Sequence, residues 1–167
     1  MNDLDRSSLA AELVDLLTAR HETVATAESL TGGLIGVLLT AVPGASQVYR
    51  GGVISYATEL KADLAGVSPL TLERWGPVAA ATAEEMAVGI AHRCAARHGL
   101  AATGVAGPDA QNGHPVGLVF VGSADTVADH VLVREHRLSG SRDEIRWAVA
   151  ELALRQLLEQ LRTRDGS

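Results

Sequence analysis

The chain has 167 residues, 47% of them hydrophobic but only 3% aromatic, and a formal net charge of −6 from 14 basic and 20 acidic residues. An acidic balance without a basic run counts against nucleic acid as a partner, because that affinity rests on neutralising phosphates. A lone cysteine, Cys94, excludes an internal disulfide and a cysteine-based zinc site, and it fits a reducing compartment.

The length suits a single domain, residues 1–167, whose core must be built from Ala, Val and Leu rather than from aromatic rings. The N-terminus, Met1-Asn2-Asp3-Leu4-Asp5-Arg6, is acidic and has no apolar h-region, so no signal peptide is expected. No apolar run approaches the ~20 residues of a bilayer span. A cytoplasmic protein with no membrane partner is expected.

Leu9, Leu13, Leu16 and Leu17 repeat at helical spacing and predict a helix over 7–20. A β-branched strand follows at 23–27, then the turn Glu28-Ser29-Leu30-Thr31-Gly32-Gly33. A helix begins at Leu34 and runs to about Val42. Pro43-Gly44-Ala45-Ser46 is a turn. Val48–Tyr56 reads as a second strand, in which Gly51-Gly52 signals a bulge or a close backbone approach. Thr58–Ala65 is a short helix, and Gly66–Pro77 is irregular with one helical turn near Leu70–Trp75. Thr82-Ala83-Glu84-Glu85 has the pattern of a capping box and opens a helix to about Arg97, ended by His98-Gly99. Leu100–Val105 is a strand, and Asp109–Pro115 a polar loop. Val116–Ser123 and Val131–Leu138 form a hairpin. A second capping box, Ser141-Arg142-Asp143-Glu144, opens a last helix to about Arg162 that buries Ile145, Val149, Leu152, Leu158 and Leu161. Thr163–Ser167 are expected to fray. Helices alternating with strands predict an α/β fold: a three-layer α/β/α sandwich whose late hairpin makes the mostly parallel sheet mixed.

Ser29 stands where a strand ends and a helix begins, the place where unpaired N–H groups carry partial positive charge. It is either a nucleophile beside an oxyanion site, or a residue that, like Thr31, caps the helix. No G-x-S-x-G elbow, G-x-x-x-x-G-K-[ST] loop or G-x-G-x-x-G loop after a strand is present. A serine nucleophile needs a base. Of His21, His92, His98, His114, His130 and His136, which read as helix-end, loop or exposed strand positions, only His114 stays a candidate. Lys61 is the sole lysine beside 13 arginines, and only a lysine becomes a neutral base when burial lowers its pKa. Tyr56 lies five residues earlier, either a proton carrier between the two or a strand-end aromatic.

Thr103-Gly104-Val105-Ala106-Gly107-Pro108-Asp109 forms a second strand-end loop, whose glycines let a ligand approach backbone amides or simply serve the turn. If the strands ending at Glu28 and Gly104 are parallel neighbours, both loops share one mouth. Ser141-Arg142 is either an ordinary helix cap or a phosphate site. Cys94 reads as a small core residue.

Several ungapped motifs in one order resemble the CinA C-terminal domain family, whose enzymatic members are nicotinamide-nucleotide amidases. They are Thr-Ala-Glu-Ser-x-Thr-Gly-Gly at 26–33, Val-Pro-Gly-Ala-Ser at 42–46 and Arg-Gly-Gly-Val-Ile-Ser-Tyr-Ala-Thr-Glu-x-Lys at 50–61. Gly-Pro-Val at 76–78, Thr-Gly-Val-Ala-Gly-Pro at 103–108, Pro-Val-Gly at 115–117 and Gly-Ser-Arg at 140–142 continue the pattern.

The resemblance implies deamidation of nicotinamide mononucleotide to nicotinate mononucleotide and ammonia in pyridine nucleotide salvage, with Ser29, Tyr56 and Lys61 catalytic. It implies a small-molecule nucleotide substrate, no nucleic acid, no metal and no organic cofactor. Leu30, Thr31, Gly32 and Gly33 are expected to frame the oxyanion and ligand, together with Thr103, Gly104 and Gly107, and Arg142 is expected to hold the phosphate. An Ala/Leu-rich surface helix favours self-association, so a homo-oligomer is expected. Two departures stand out: Leu30 where many members have cysteine, and Asp109-Ala110-Gln111-Asn112-Gly113 where many have a further Gly-Gly. The alternative is a non-catalytic nucleotide-binding or competence-associated interaction domain.

Overall fold

Strand β1, Val24–Glu28, is buried at every position, because it has a strand on each side and helices on both faces. The computed structural model describes residues 3–164, and in it β1 lies between β2, Tyr49–Ile54, and β3, His98–Gly104, parallel to both. β4, Leu118–Asp125, runs antiparallel to β3, and β5, His130–Arg137, antiparallel to β4. The sheet order is β2-β1-β3-β4-β5, so four of the five strands point the same way.

Three helices cover one face: α1, Asp3–Ala19; α2, Leu34–Thr40; and α6, Arg142–Arg164. Leu9, Leu13 and Leu17 of α1 are buried there, each side chain worth about 2 kcal/mol when removed from water. The other face carries α3, Thr58–Ala65; α4, Pro69–Trp75; and α5, Ala80–Arg93. α5 lies against the sheet backbone itself. A Cβ on Gly99 would come within 1.8 Å of the Ala87 carbonyl oxygen, and one on Gly122 within 2.5 Å of that of Ala83. This close approach of an alanine-rich helix explains how the core fills with almost no rings. The three-layer α/β/α sandwich expected from the sequence is the architecture found.

Local differences have physical causes. α1 begins at Asp3, not residue 7, and α2 ends at Thr40 before a short 3-10 turn at Ala45–Gln47. The β1–β2 register skips Arg50, just before Gly51-Gly52, and the close backbone approach is at Gly52, where a Cβ would meet Thr26 Oγ1 at 2.1 Å. α5 starts two residues before Thr82, so Thr82 is not its cap; its hydroxyl donates to the Gly76 carbonyl inside the fold. Glu85 instead serves α4, accepting from Ser68 N–H and the Thr71 hydroxyl. Ser141 and Glu144 do form a reciprocal capping box.

His98 opens β3 rather than ending a helix, and it is fully buried against Glu22 at 2.6 Å, not exposed. Glu22 and Asp125 also pair with Arg97 and Arg164 at the end of the sheet remote from Gly104. Those pairs hold Thr163 and Arg164 in α6, where fraying was expected; residues 165–167 lie outside the described residues. Leu152 is only partly buried, as is Cys94 at the end of α5. No helix among the described residues is long and apolar enough to cross a membrane.

Candidate active site

Parallel pairing of β1 with β3 brings the two strand-end loops to one mouth. The last rungs pin the serine: Ser29 N–H donates to the Ala102 carbonyl at 3.0 Å, and Ser55 N–H to the Glu28 carbonyl at 2.8 Å. The chain then reverses, with Gly32 N–H on the Ser29 carbonyl at 3.1 Å and left-handed φ values of 59° and 101° at Gly32 and Gly33. Glycines carry those angles without a Cβ penalty.

Neither Ser29 nor Thr31 caps α2, whose N-cap is Gly33 with no side-chain bond of its own. The cap is Glu28, at the end of β1. Its carboxylate, 2% exposed, accepts from the N–H groups of Gly33, Ile35 and Gly36 at 2.9, 3.1 and 2.9 Å. A negative group therefore already occupies the positive end of α2. Ser29, 8% exposed, is left free of capping duty.

Lys61 extends from α3 into the same cavity. Its Nζ is 3.1 Å from Ser29 Oγ and donates to the Ser55 carbonyl at 2.8 Å. The residue is 1% exposed, and burial lowers its pKa from 10.5 to about 8, with Glu59 pulling weakly the other way. Burial disfavours the ammonium, while the Ser55 carbonyl fixes one N–H and leaves the amine directed at the hydroxyl.

Tyr56 is elsewhere. It is 60% exposed at the rim, and its hydroxyl accepts from Arg142 at 2.9 Å. Arg142 also donates to the Gly107 carbonyl at 2.6 Å, so its guanidinium joins the segment after β2 to the loop after β3. Thr103 donates to the Pro77 carbonyl at 2.6 Å and ties the end of β3 to the segment before α5.

A cleft opens at this mouth. Ser29, Leu30, Tyr56, Lys61, Thr103, Gly104, Gly107 and Arg142 line it. Thr31, Gly32 and Gly33 do not; the Thr31 side chain is fully buried with its hydroxyl unpartnered. Leu30 is buried in the main core, which accounts for an apolar side chain beside Ser29. None of the six histidines lines the cleft; His114 pairs only its backbone with Gln111 across a tight loop. Sequence reasoning missed Asp109 and Gln111, two polar residues of the departing loop that line the mouth. Among the described residues no cluster of His, Cys, Asp or Glu could hold a metal ion.

The chain is similar to known proteins in sequence and fold. A CinA-like protein of Thermosynechococcus vestitus is 46% identical over 160 residues, which cover 94% of this chain and 38% of that one. A CinA-like protein of Frankia casuarinae is 48% identical over 139 residues, 83% of this chain and 32% of that one. The chain thus spans about a third of the length of these relatives. The crystal structure of competence/damage inducible protein CihA from Agrobacterium tumefaciens superposes with a TM-score of 0.89 at 38% identity, covering 93% of this chain and 94% of that one. A competence or damage-inducible protein from Enterobacter asburiae gives 0.89 at 30% identity, over 93% and 98% of the two chains. The model of the CinA C-terminal domain matches residues 6–161, and the chain belongs to that family.

Proposed function

We infer that the chain is an amidohydrolase that converts nicotinamide mononucleotide to nicotinate mononucleotide and ammonia through an acyl-enzyme on Ser29. One observation carries the reading: a buried amine, its pKa lowered to about 8, lies 3.1 Å from the hydroxyl of a serine at a strand–helix turn. A hydroxyl is a weak nucleophile until a base takes its proton, and Lys61 is placed to be that base.

Ser29 Oγ attacks the carboxamide carbon while its proton passes directly to Lys61 Nζ. Backbone N–H groups of the turn stabilise the oxyanion. The Lys61 ammonium returns the proton to the leaving nitrogen, the C–N bond breaks and ammonia departs. Lys61, again neutral, takes a proton from water as the water oxygen attacks the ester; the C–O bond breaks, the Lys61 ammonium returns the proton to Ser29 Oγ, and the new carboxylic acid releases its proton to solvent. Tyr56 bonds Arg142, so we assign it to holding that guanidinium at the mouth, where it pairs with the substrate phosphate.

A crystal soaked with nicotinate mononucleotide tests the pose. The reading expects the ring carboxylate beside Ser29 and the phosphate on Arg142. A nucleotide bound with its ring remote from Ser29 would overturn it.

A further inference from the structure

The two peptide units that follow Leu30 N–H are held from outside the turn. Arg146, in the second turn of α6, donates from Nε to the Leu30 carbonyl at 3.0 Å and from a terminal nitrogen to the Thr31 carbonyl at 3.1 Å. A Cβ at Gly32 would come 3.3 Å from the same guanidinium, so the glycine leaves room for it.

A trans peptide points its N–H opposite to its C=O. The Leu30 carbonyl shares its peptide plane with Thr31 N–H, so the guanidinium sets the direction of that N–H. The Ser29 carbonyl, held by Gly32 N–H, sets the direction of Leu30 N–H in the same way. Of the seven N–H groups from Leu30 to Gly36, five are engaged: those of Gly33, Ile35 and Gly36 by Glu28, that of Gly32 by Ser29, and that of Leu34 by Thr31. The two that donate to no group among the described residues are Leu30 and Thr31, directly after the nucleophile.

We propose that Arg146 is a positioning residue for acyl transfer, orienting the peptide units after Ser29 so that Leu30 N–H, on the residue of the pair that lines the cleft, serves the oxyanion. The proposal rests on the acyl-transfer role given to Ser29, and not on the identity of the substrate. Arg146 touches no reacting atom; it acts through two carbonyl oxygens.

An alkyl fluorophosphonate tests the turn independently of any nucleotide. Ser29 Oγ forms a bond to phosphorus, the P–F bond breaks, fluoride leaves, and the serine proton goes to Lys61. In Arg146→Ala, labelling at Ser29 and ammonia release are both expected to slow by about 10²-fold, the cost typical of a lost oxyanion donor. KM for the nucleotide should stay within about threefold, as for an interaction made only in the transition state. Added guanidinium ion should restore part of the rate to Arg146→Ala and none to Ser29→Ala. Labelling of Arg146→Ala at the wild-type rate would overturn the proposal, as would a loss that follows the variant's unfolding curve and ignores guanidinium. If wild-type protein labels at Ser29 yet releases no ammonia from the mononucleotide, the substrate reading fails and the labelling ratio alone decides the role of Arg146. Wild-type protein that does neither overturns both.

Discussion

Lys61 Nζ lies 3.1 Å from Ser29 Oγ, and the same nitrogen is anchored 2.8 Å from the Ser55 carbonyl oxygen. The second contact gives the first its chemical meaning. A carbonyl can only accept, so one N–H is committed to Ser55, and when the amine is neutral its lone pair is left for the serine proton. Tyr56 is bonded to Arg142 instead, so the proposed activation rests on Ser29 and Lys61 alone, with the tyrosine at the rim.

The first prediction concerns pH. Lys61 acts as a base only when neutral, and burial brings its pKa down to about 8. kcat/KM is therefore expected to rise with pH and level off above about 8. Lys61→Arg, charged at every accessible pH, should lose activity by about 10²–10⁴-fold. A flat pH–rate profile between neutral and mildly alkaline pH would contradict the assignment of the base.

The same residue costs stability. Its amine has a pKa of about 8 in the fold against 10.5 ordinarily, so between those values the unfolded chain binds the extra proton and stability rises with pH. Below about 8 the fold carries a buried cation at a cost on the order of 3 kcal/mol. Lys61→Met should therefore be inactive yet more stable at pH 7, by on the order of 1–3 kcal/mol. The gain should shrink as pH approaches 10.5. Urea unfolding at pH 7 and at pH 10 measures both.

Glu28 should matter to stability through α2. Glu28→Gln keeps one acceptor oxygen for three N–H donors and is expected to cost about 1–2 kcal/mol. Glu28→Ala leaves all three donors without a partner and is expected to cost more, about 2–3 kcal/mol. Amide hydrogen exchange locates the effect: the N–H groups of Gly33, Ile35 and Gly36 should lose protection first.

Arg142 and Tyr56 separate binding from chemistry. Arg142→Gln should raise KM for the mononucleotide by about 10–100-fold, the range of a charge-assisted bond, with a smaller change in kcat. Tyr56→Phe removes only the oxygen that steadies the guanidinium and should raise KM by about threefold. For the nucleoside, which has no phosphate, neither change should matter. Loss of kcat in Tyr56→Phe equal to that in Lys61→Arg would return the tyrosine to the proton path.

Much of this was readable in the residues because it is local. A β-branched run marked β1, the glycines after Ser29 marked the turn into α2, a lone lysine among arginines marked Lys61, and strand-end glycines marked the second loop. What could not be read depends on long-range contact. Glu28 looks like an ordinary strand residue, and it caps α2 because the chain doubles back on it five to eight residues later. Arg146 looks like an exposed helix arginine, yet its partners lie more than a hundred residues away. Thr82 has the spacing of a cap, but its hydroxyl is drawn to Gly76 because α5 starts one half-turn earlier to cover the sheet. His98 reads as the end of a helix until Glu22, from before β1, is found beneath it.

The most direct measurement is ammonia release from nicotinamide mononucleotide by purified wild-type protein, Ser29→Ala and Lys61→Ala, each checked for folding by circular dichroism. The account predicts turnover in the wild type, with nicotinate mononucleotide formed in equal amount, and loss of at least about 10³-fold in both variants. Turnover that survives in both folded variants, or a wild type that binds the mononucleotide without releasing ammonia, would contradict it.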